Sequence, residues 1–261
     1  MIHLRNEREI ELIRQSCEIV VATLTMVDEI IEEGMTTSEL DAEIESFIRK
    51  HHARPAFKGY QGFPASACIS VNDEVVHGIP NHRRIKAGDL VKVDVGVEKE
   101  GYYGDAAMTY VIGEIDEETQ RLLRITHEAL MLGIEQARYG NRLSDISHAI
   151  QQHVEGAGYS VVRQLVGHGI GKKLHEDPQV PNYGKPGRGP RLRPGMVLAI
   201  EPMVNAGTYD VITDEDGWTV RSADGSLSAH FEHTVVIRKD GPEILTEGLE
   251  QIYGEKRTHS R

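Results

Sequence analysis

Asp94 and Asp105 stand at the two ends of DVGVEKEGYYGD, a segment that reads as a β-hairpin. Val91, Val93, Val95 and Val97 alternate with Lys92, Asp94 and Gly96, the period of two of a strand with one apolar face. Glu98-Lys99-Glu100-Gly101 reads as the turn, and Tyr102 to Ile112 as the returning strand. A turn centred between Lys99 and Glu100 puts Asp94 opposite Asp105, on the face away from the valines. Like charges directly opposite destabilise a hairpin, and two carboxylates about 4 Å apart repel by roughly 4 kcal/mol at an effective dielectric near 20. Compensation would have to come from a shared proton, a nearby Arg or Lys, or a cation. A pair of divalent ions roughly 3.5–4 Å apart suits this spacing. The plainer alternative is a register shifted by one residue, with both aspartates solvated at a strand end.

Three more polar islands lie downstream in apolar or glycine-rich surroundings. VGHGIGKKLHEDP carries His168 between two glycines and His175 seven residues on, LAIEPMV carries Glu201 in a strand before Pro202, and SAHFEHTVVI carries Glu232 in another strand. Singly, each has an ordinary role: a turn histidine, a strand end, a glutamate paired with arginine. Together, Glu201 and Glu232 add two buried carboxylates to the aspartate pair, and unpaired buried carboxylates are costly. Four carboxylates carry −4, which two divalent ions balance. Carboxylate oxygens with one imidazole suit Mn, Fe, Co or Zn. Such ions acidify a bound water and polarise a carbonyl, so the chemistry implied is hydrolysis.

The elements that must hold these residues are written twice. Ile10, Ile13, Cys17, Val20, Leu24, Val27 and Ile31 recur at helical spacing before Gly34, and Thr36-Thr37-Ser38-Glu39 is a capping box opening a second helix through about His51. A third helix starts at Glu117 and ends near Gly140, and Ser144, Ile146, Ile150 and Val154 mark a fourth. Gly34, Ser38, Leu40 and Ile44 match Gly140, Ser144, Ile146 and Ile150, while IKAGDLVKVDVGV aligns with LRPGMVLAIEPMV and sets Asp94 on Glu201. The expected architecture is α+β: one catalytic domain over residues 1–261, with an internal repeat of about 7–112 and 117–240. Strands from both halves meet in a central antiparallel sheet covered by helices.

Composition is ordinary for a soluble globular chain: 261 residues, 39% hydrophobic and 27% charged. No apolar run is long enough to span a membrane, and MIHLRNEREIELIRQ lacks a signal-peptide core, so the expected compartment is the cytoplasm. Cys17 and Cys68 read as reduced thiols. A net charge of −12 argues against gripping DNA. The local exception is Lys172, Lys173, Lys185, Arg188, Arg191 and Arg193 around a Gly/Pro-rich loop, either a solvated loop or a docking patch for ribosomal RNA. Only the tail GEKRTHSR looks loose.

SACISVNDEVVHGIP, VDVGVEKEGYYGDAA, GHGIGKKLHEDPQVPNYG, AIEPM and HFEHTVVI, in this order, resemble the type I methionine aminopeptidases over about residues 3 to 250. The resemblance implies the "pita-bread" fold shared with aminopeptidase P, prolidase and creatinase. It implies Asp94, Asp105, His168, Glu201 and Glu232 as metal ligands, with Asp105 and Glu232 bridging two ions and Glu201 also taking a proton from the attacking water. His175 would bond the scissile carbonyl or the oxyanion, and His77 in VVHGIP would lie by the leaving peptide. A methionine pocket would be lined by Phe57, Tyr60, Phe63, Cys68, Leu174 and Trp218. Asn72, Glu74 and Ser228 would hold a monovalent cation. The remaining histidines considered, His3, His51, His52, His127, His148, His153 and His259, match no family site. No zinc-binding or proline-rich extension precedes the catalytic region, as in the short bacterial form, and nothing suggests an obligate dimer, so a monomer is the expected state. The implied activity is cobalt-, manganese- or iron-dependent removal of initiator methionine from nascent chains whose second residue is small. The alternatives are an X-Pro hydrolase of the same fold and a non-catalytic binding module.

Overall fold

The computed structural model describes residues 1–249; the tail GEKRTHSR and His259 lie outside them. Helix α1 (Glu7–Ile30) starts at a reciprocal cap in which Asn6 Oδ1 accepts from Glu9 N while Asn6 N donates to the Glu9 carboxylate. Helix α2 (Thr37–Lys50) has the capping box read from its sequence, Thr36 with Glu39. Helix α3 (Glu117–Gln136) is capped by Asp116, and α4 (Leu143–Gly156) packs against α3.

The strands pair antiparallel in four ladders. In the first, the long hairpin Leu90–Lys99 and Tyr102–Val111 is flanked by Cys68–Val71 and the short Arg54–Pro55. In the largest, the order is Pro242–Ile244, His233–Ile237, Val197–Ile200, Gly167–Gly169, Glu176–Val180. Two three-stranded ladders complete the set: Ser228–His230 with Met203–Asn205 and Ser160–Val161, and Val211–Thr213 with Val220–Ser222 and Glu74–Val76.

Helix α1 lies across the hairpin so closely that a Cβ at Gly104 would collide with the backbone and sulfur of Cys17. Tyr110 OH donates to Leu24 O and Ser16 Oγ to Tyr102 O, so the helix is pinned by hydrogen bonds as well as by Ile13, Val20 and Leu24. Helix α3 covers the strands of the second half in the same way. Residues aligned by the repeat share local geometry: Gly34 and Gly140 have φ of 92° and 94°, Gly88 and Gly195 have 87° and 88°. The isolated bridge Thr36 to Arg84 has a counterpart in Arg142 to Arg191.

Candidate metal centre

The hairpin register differs from the one expected. The loop is Glu100-Gly101, with φ of 52° and 82°, so Asp105 pairs with Gly96 and Asp94 with Ala107. A two-residue loop of this kind needs left-handed backbone at both positions. Centring it on Lys99-Glu100 would demand that of two residues with side chains, whereas a shift of one residue gives one place to glycine and moves the pairing by two. Because side chains alternate, a shift of two keeps both aspartates on one face, now as diagonal neighbours.

The other strands converge on that face. Asp105 exchanges backbone for hydroxyl with Thr234 (Thr234 Oγ1 to Asp105 O, 2.7 Å; Asp105 N to Thr234 Oγ1, 3.2 Å), and Glu232 N donates to Ala107 O at 3.0 Å. Glu232 was expected inside a strand; it sits in the break between Ser228–His230 and His233–Ile237. Glu201 likewise falls just past Ile200, since Pro202 has no N–H to carry the ladder on. His168 is held centrally between two neighbouring strands. A Cβ at Gly167 would drive into the Ala199 carbonyl and one at Gly169 into the Asp177 carbonyl.

Asp94, Asp105, His168, Glu201 and Glu232 line one cavity of about 270 Å³. His168 Nδ1 lies 3.0 Å from Gly169 O, an acceptor, so it carries the proton and leaves the Nε2 lone pair free. That nitrogen is 3.6 Å from Glu201 Oε1 and 3.9 Å from Asp105 Oδ2. Burial holds all four carboxyls above the ordinary range, Asp94 at about 7, and mutual repulsion adds to this for Asp105, Glu201 and Glu232. Burial draws His168 down to about 3, with His175 adding to the pull.

Among the described residues no Lys or Arg comes within ion-pair distance of these carboxylates. Oxygens of Asp94, Asp105 and Glu232 are buried without any hydrogen-bond partner. Orphaned acceptors of this kind, with an imidazole lone pair aimed among them, fit divalent cations.

One residue of the cluster escaped the sequence reading. His230 is 1% exposed, both its ring nitrogens lack partners, and Nε2 lies 3.8 Å from Glu201 Oε2. Glu201, His230 and Glu232 form a second grouping with metal-binding spacing beside that of Asp105, His168 and Glu232. The signal was available: His230 and Glu232 are two apart in an extended segment and so share a face.

Phe57, Tyr60, Phe63, Cys68, His77, Leu174, His175 and Trp218 line the same cavity. Phe63 and Trp218 meet edge to face at 5.2 Å, and His77 stands edge to face with Trp218 at 6.5 Å. His77 has φ of 58°, a costly backbone for a residue with a Cβ, and burial followed by His175 draws its ring down to about 4. His175 is more exposed, with Nδ1 2.8 Å from Tyr60 OH and its ring 4.2 Å from that of His168. Leu165, Val166 and Met203 also line the cavity and carried no polar signal in the sequence.

Asn72, Glu74 and Ser228 lie together, and the Asn72 carbonyl and the side chains of Glu74 and Ser228 are engaged by protein partners. The Asn72 carbonyl accepts from Lys92 Nζ at 2.6 Å and from Ser228 N at 3.1 Å. The Glu74 carboxylate accepts from Val71 N, Arg83 and Arg221, and Ser228 Oγ donates to Val204 O. Burial draws Lys92 down to about 7, with Arg83 adding to the pull and Glu74, Asp73 and Asp89 opposing it.

An antiparallel α+β domain with buried carboxylates and an imidazole gathered where strands from both ends of the chain meet defines a metallohydrolase of the pita-bread kind. Residues 11–239 match the model of metallopeptidase family M24, and the chain belongs to that family. Over 247 residues it is 57% identical to a methionine aminopeptidase of Clostridium acetobutylicum, covering 94% of this chain and 99% of the relative. It superposes on the crystal structure of methionine aminopeptidase from Thermotoga maritima with a TM-score of 0.93, 48% identity and coverage of 94% and 99%. Prolidase from Pyrococcus furiosus is more distant: TM-score 0.75, 26% identity, 94% of this chain but 65% of that one.

Proposed function

We propose that this chain is a methionyl aminopeptidase, removing the N-terminal methionine of peptides and nascent proteins whose second residue is small. The observation that carries the reading is the cluster of four carboxylates, Asp105 and Glu232 buried and Asp94 and Glu201 half-buried, without a basic partner among the described residues, at the head of a cavity walled by Phe57, Phe63 and Trp218. Asp94, Asp105, His168, Glu201 and Glu232 would hold two divalent ions, with Co, Mn, Fe and Zn all suited to the donors. Bound there, the ions supply an acidified water and a polarised carbonyl.

The chain's own residues do the rest. Glu201, its carboxyl raised by burial, is suited to take a proton from the attacking water and pass it to the leaving amine. His175 stands at the open side, where its Nε2 is free to donate to the carbonyl oxygen as charge develops, while Tyr60 fixes the ring through Nδ1. Phe57, Phe63, Cys68, Leu174 and Trp218 offer the apolar enclosure a thioether side chain prefers. His77, beside Trp218, would face the leaving peptide.

The paired glycines and bridges of the two halves support reading residues 1–261 as one catalytic domain built by duplication. Among the described residues no helix is long and apolar enough to cross a membrane, which accords with a cytoplasmic site of action. Lys185, Arg188, Arg191 and Arg193 form an exposed basic loop suited to transient contact with ribosomal RNA. Replacing the four together should leave tripeptide cleavage unchanged and weaken co-sedimentation with ribosomes; unchanged sedimentation removes that contact from the reading.

The deciding experiment assays chelator-stripped protein with and without Co(II) or Mn(II) on Met-Ala-Ser, Met-Lys-Ser and Ala-Pro-Ser. Metal-dependent release of methionine from the first alone is the expected result. Cleavage of only Ala-Pro-Ser would move the chain to the X-Pro branch, and no cleavage under any metal would leave a binding module.

A further inference from the structure

Lys92 lies on the strand Leu90–Lys99, two residues before Asp94 and on the same face, yet it is 1% exposed. A buried ammonium needs acceptors, since the charged head is otherwise stripped of water without return. The acceptor here is the Asn72 carbonyl at 2.6 Å. Asn72 is itself held in a left-handed backbone (φ 59°) by bonds from its amide to Asp89 and from Leu90 N to its side-chain oxygen. The same carbonyl receives Ser228 N, and Ser228 leads within four residues to Glu232. One oxygen therefore joins the strand bearing Asp94 to the segment bearing Glu232.

An oxygen-lined corner with acidic residues close by is what a potassium or sodium ion seeks, and Asn72, Glu74 and Ser228 were expected to hold one. The Asn72 carbonyl and the side-chain oxygens of Glu74 and Ser228 are instead spoken for, and an inorganic cation added beside the Lys92 ammonium would meet a like charge across a few ångströms. We propose that the ammonium of Lys92 stands in for a monovalent cation at the Asn72 corner, so that this chain folds and works without one. Lys92 is then a positioning residue: it touches no substrate, and acts by fixing the distance between two strands that carry the candidate ligands.

The test compares wild type with Lys92→Ser and Lys92→Met in potassium, sodium or tetramethylammonium chloride at equal pH and ionic strength. Melting temperature and methionine release from Met-Ala-Ser are read in each. Wild type should melt within about 1 °C in all three salts, a difference below a few tenths of a kcal/mol for a chain of this size. Lys92→Ser, which opens a hole at the Asn72 carbonyl, should melt lower and regain at least about 4 °C in potassium or sodium over tetramethylammonium, with kcat recovering several-fold and KM unmoved. Lys92→Met, which fills the hole without charge, should not be rescued.

A wild-type protein stabilised by potassium over tetramethylammonium would overturn the proposal even if neither variant folds. So would a folded Lys92→Ser indifferent to the salt, or a Lys92→Met rescued equally well. The proposal rests on the peptidase reading only for its activity readout. Failure of wild type to release methionine would count against that reading, whereas the melting temperatures judge Lys92 alone.

Discussion

At the head of the cavity, Asp94, Asp105, Glu201 and Glu232 crowd together with imidazoles and, among the described residues, no Lys or Arg, and three of them bury oxygens without a hydrogen-bond partner there. At the Asn72 corner, Asp73, Glu74, Asp89 and Asp214 are each met by Arg83, Arg221 or N–H groups, and Lys92 completes the set. The two regions bury similar charge on neighbouring strands. What separates them is whether the charge is answered from within the chain. A balanced cluster contributes shape, while an unbalanced one keeps its acceptors for something that arrives from outside.

The comparison can be broken most directly at Asp105. Asp105→Ala should lower methionine release by more than about 100-fold, the scale of removing one preorganised polar group from an active site, and should abolish most metal binding in calorimetric titration. Normal turnover would refute its place in the cluster. Asp105→Asn, stripped of metal, should melt higher than stripped wild type at pH 8, because it removes one of the mutually repelling charges. His175→Ala should come next, with kcat down by about 100-fold and KM within a few-fold, since its role lies in the transition state. A raised KM with kcat unchanged would make it a ground-state contact.

The third effect is one of pH. Burial raises the cluster's carboxyls above their unfolded values, so the folded metal-free protein holds protons that the unfolded chain has released. That contribution to stability is complete below about pH 4 and is lost as the pH rises through the folded values, about 7 for Asp94. The chelated protein should therefore melt lower at pH 8 than at pH 5.5, by several degrees. Added Mn(II) should reverse the trend, because metal binding improves as its ligands lose protons. A chelated protein that melts higher at pH 8 would contradict the unbalanced cluster. Tyr60→Phe is the mildest probe: losing one hydrogen bond to His175, worth roughly 0.5–1.5 kcal/mol, should slow turnover between about 2- and 10-fold. No change would mean that the His175 ring is held by packing alone.

Sequence patterning served well wherever one face of a strand or helix had to differ from the other. It placed Asp94 away from the valines, marked the α1 stripe, and picked out His168, Glu201 and Glu232 as polar residues in apolar company. It served less well where the answer depends on a remote partner. The hairpin register followed from the backbone angles of Glu100-Gly101, which alternation leaves open. Lys92 occupies a polar-face slot like that of Asp94, and only the Asn72 loop and the Ser228 segment, 20 residues upstream and 136 downstream, turn that slot into an interior. His230 was legible in principle, because it alternates with Glu232, but its lack of partners is a three-dimensional fact.

The flanks of His168 bear on how a mutational scan of this chain would be read. Gly167 and Gly169 are hemmed by carbonyl oxygens of the adjoining strands, so any side chain at either position should be rejected for want of room. Depletion across this tripeptide in a survival screen would then report the width of a gap at two positions and reactivity at only one. A map of intolerant sites would draw the centre larger than it is, and separating the two causes would require abundance to be scored alongside activity.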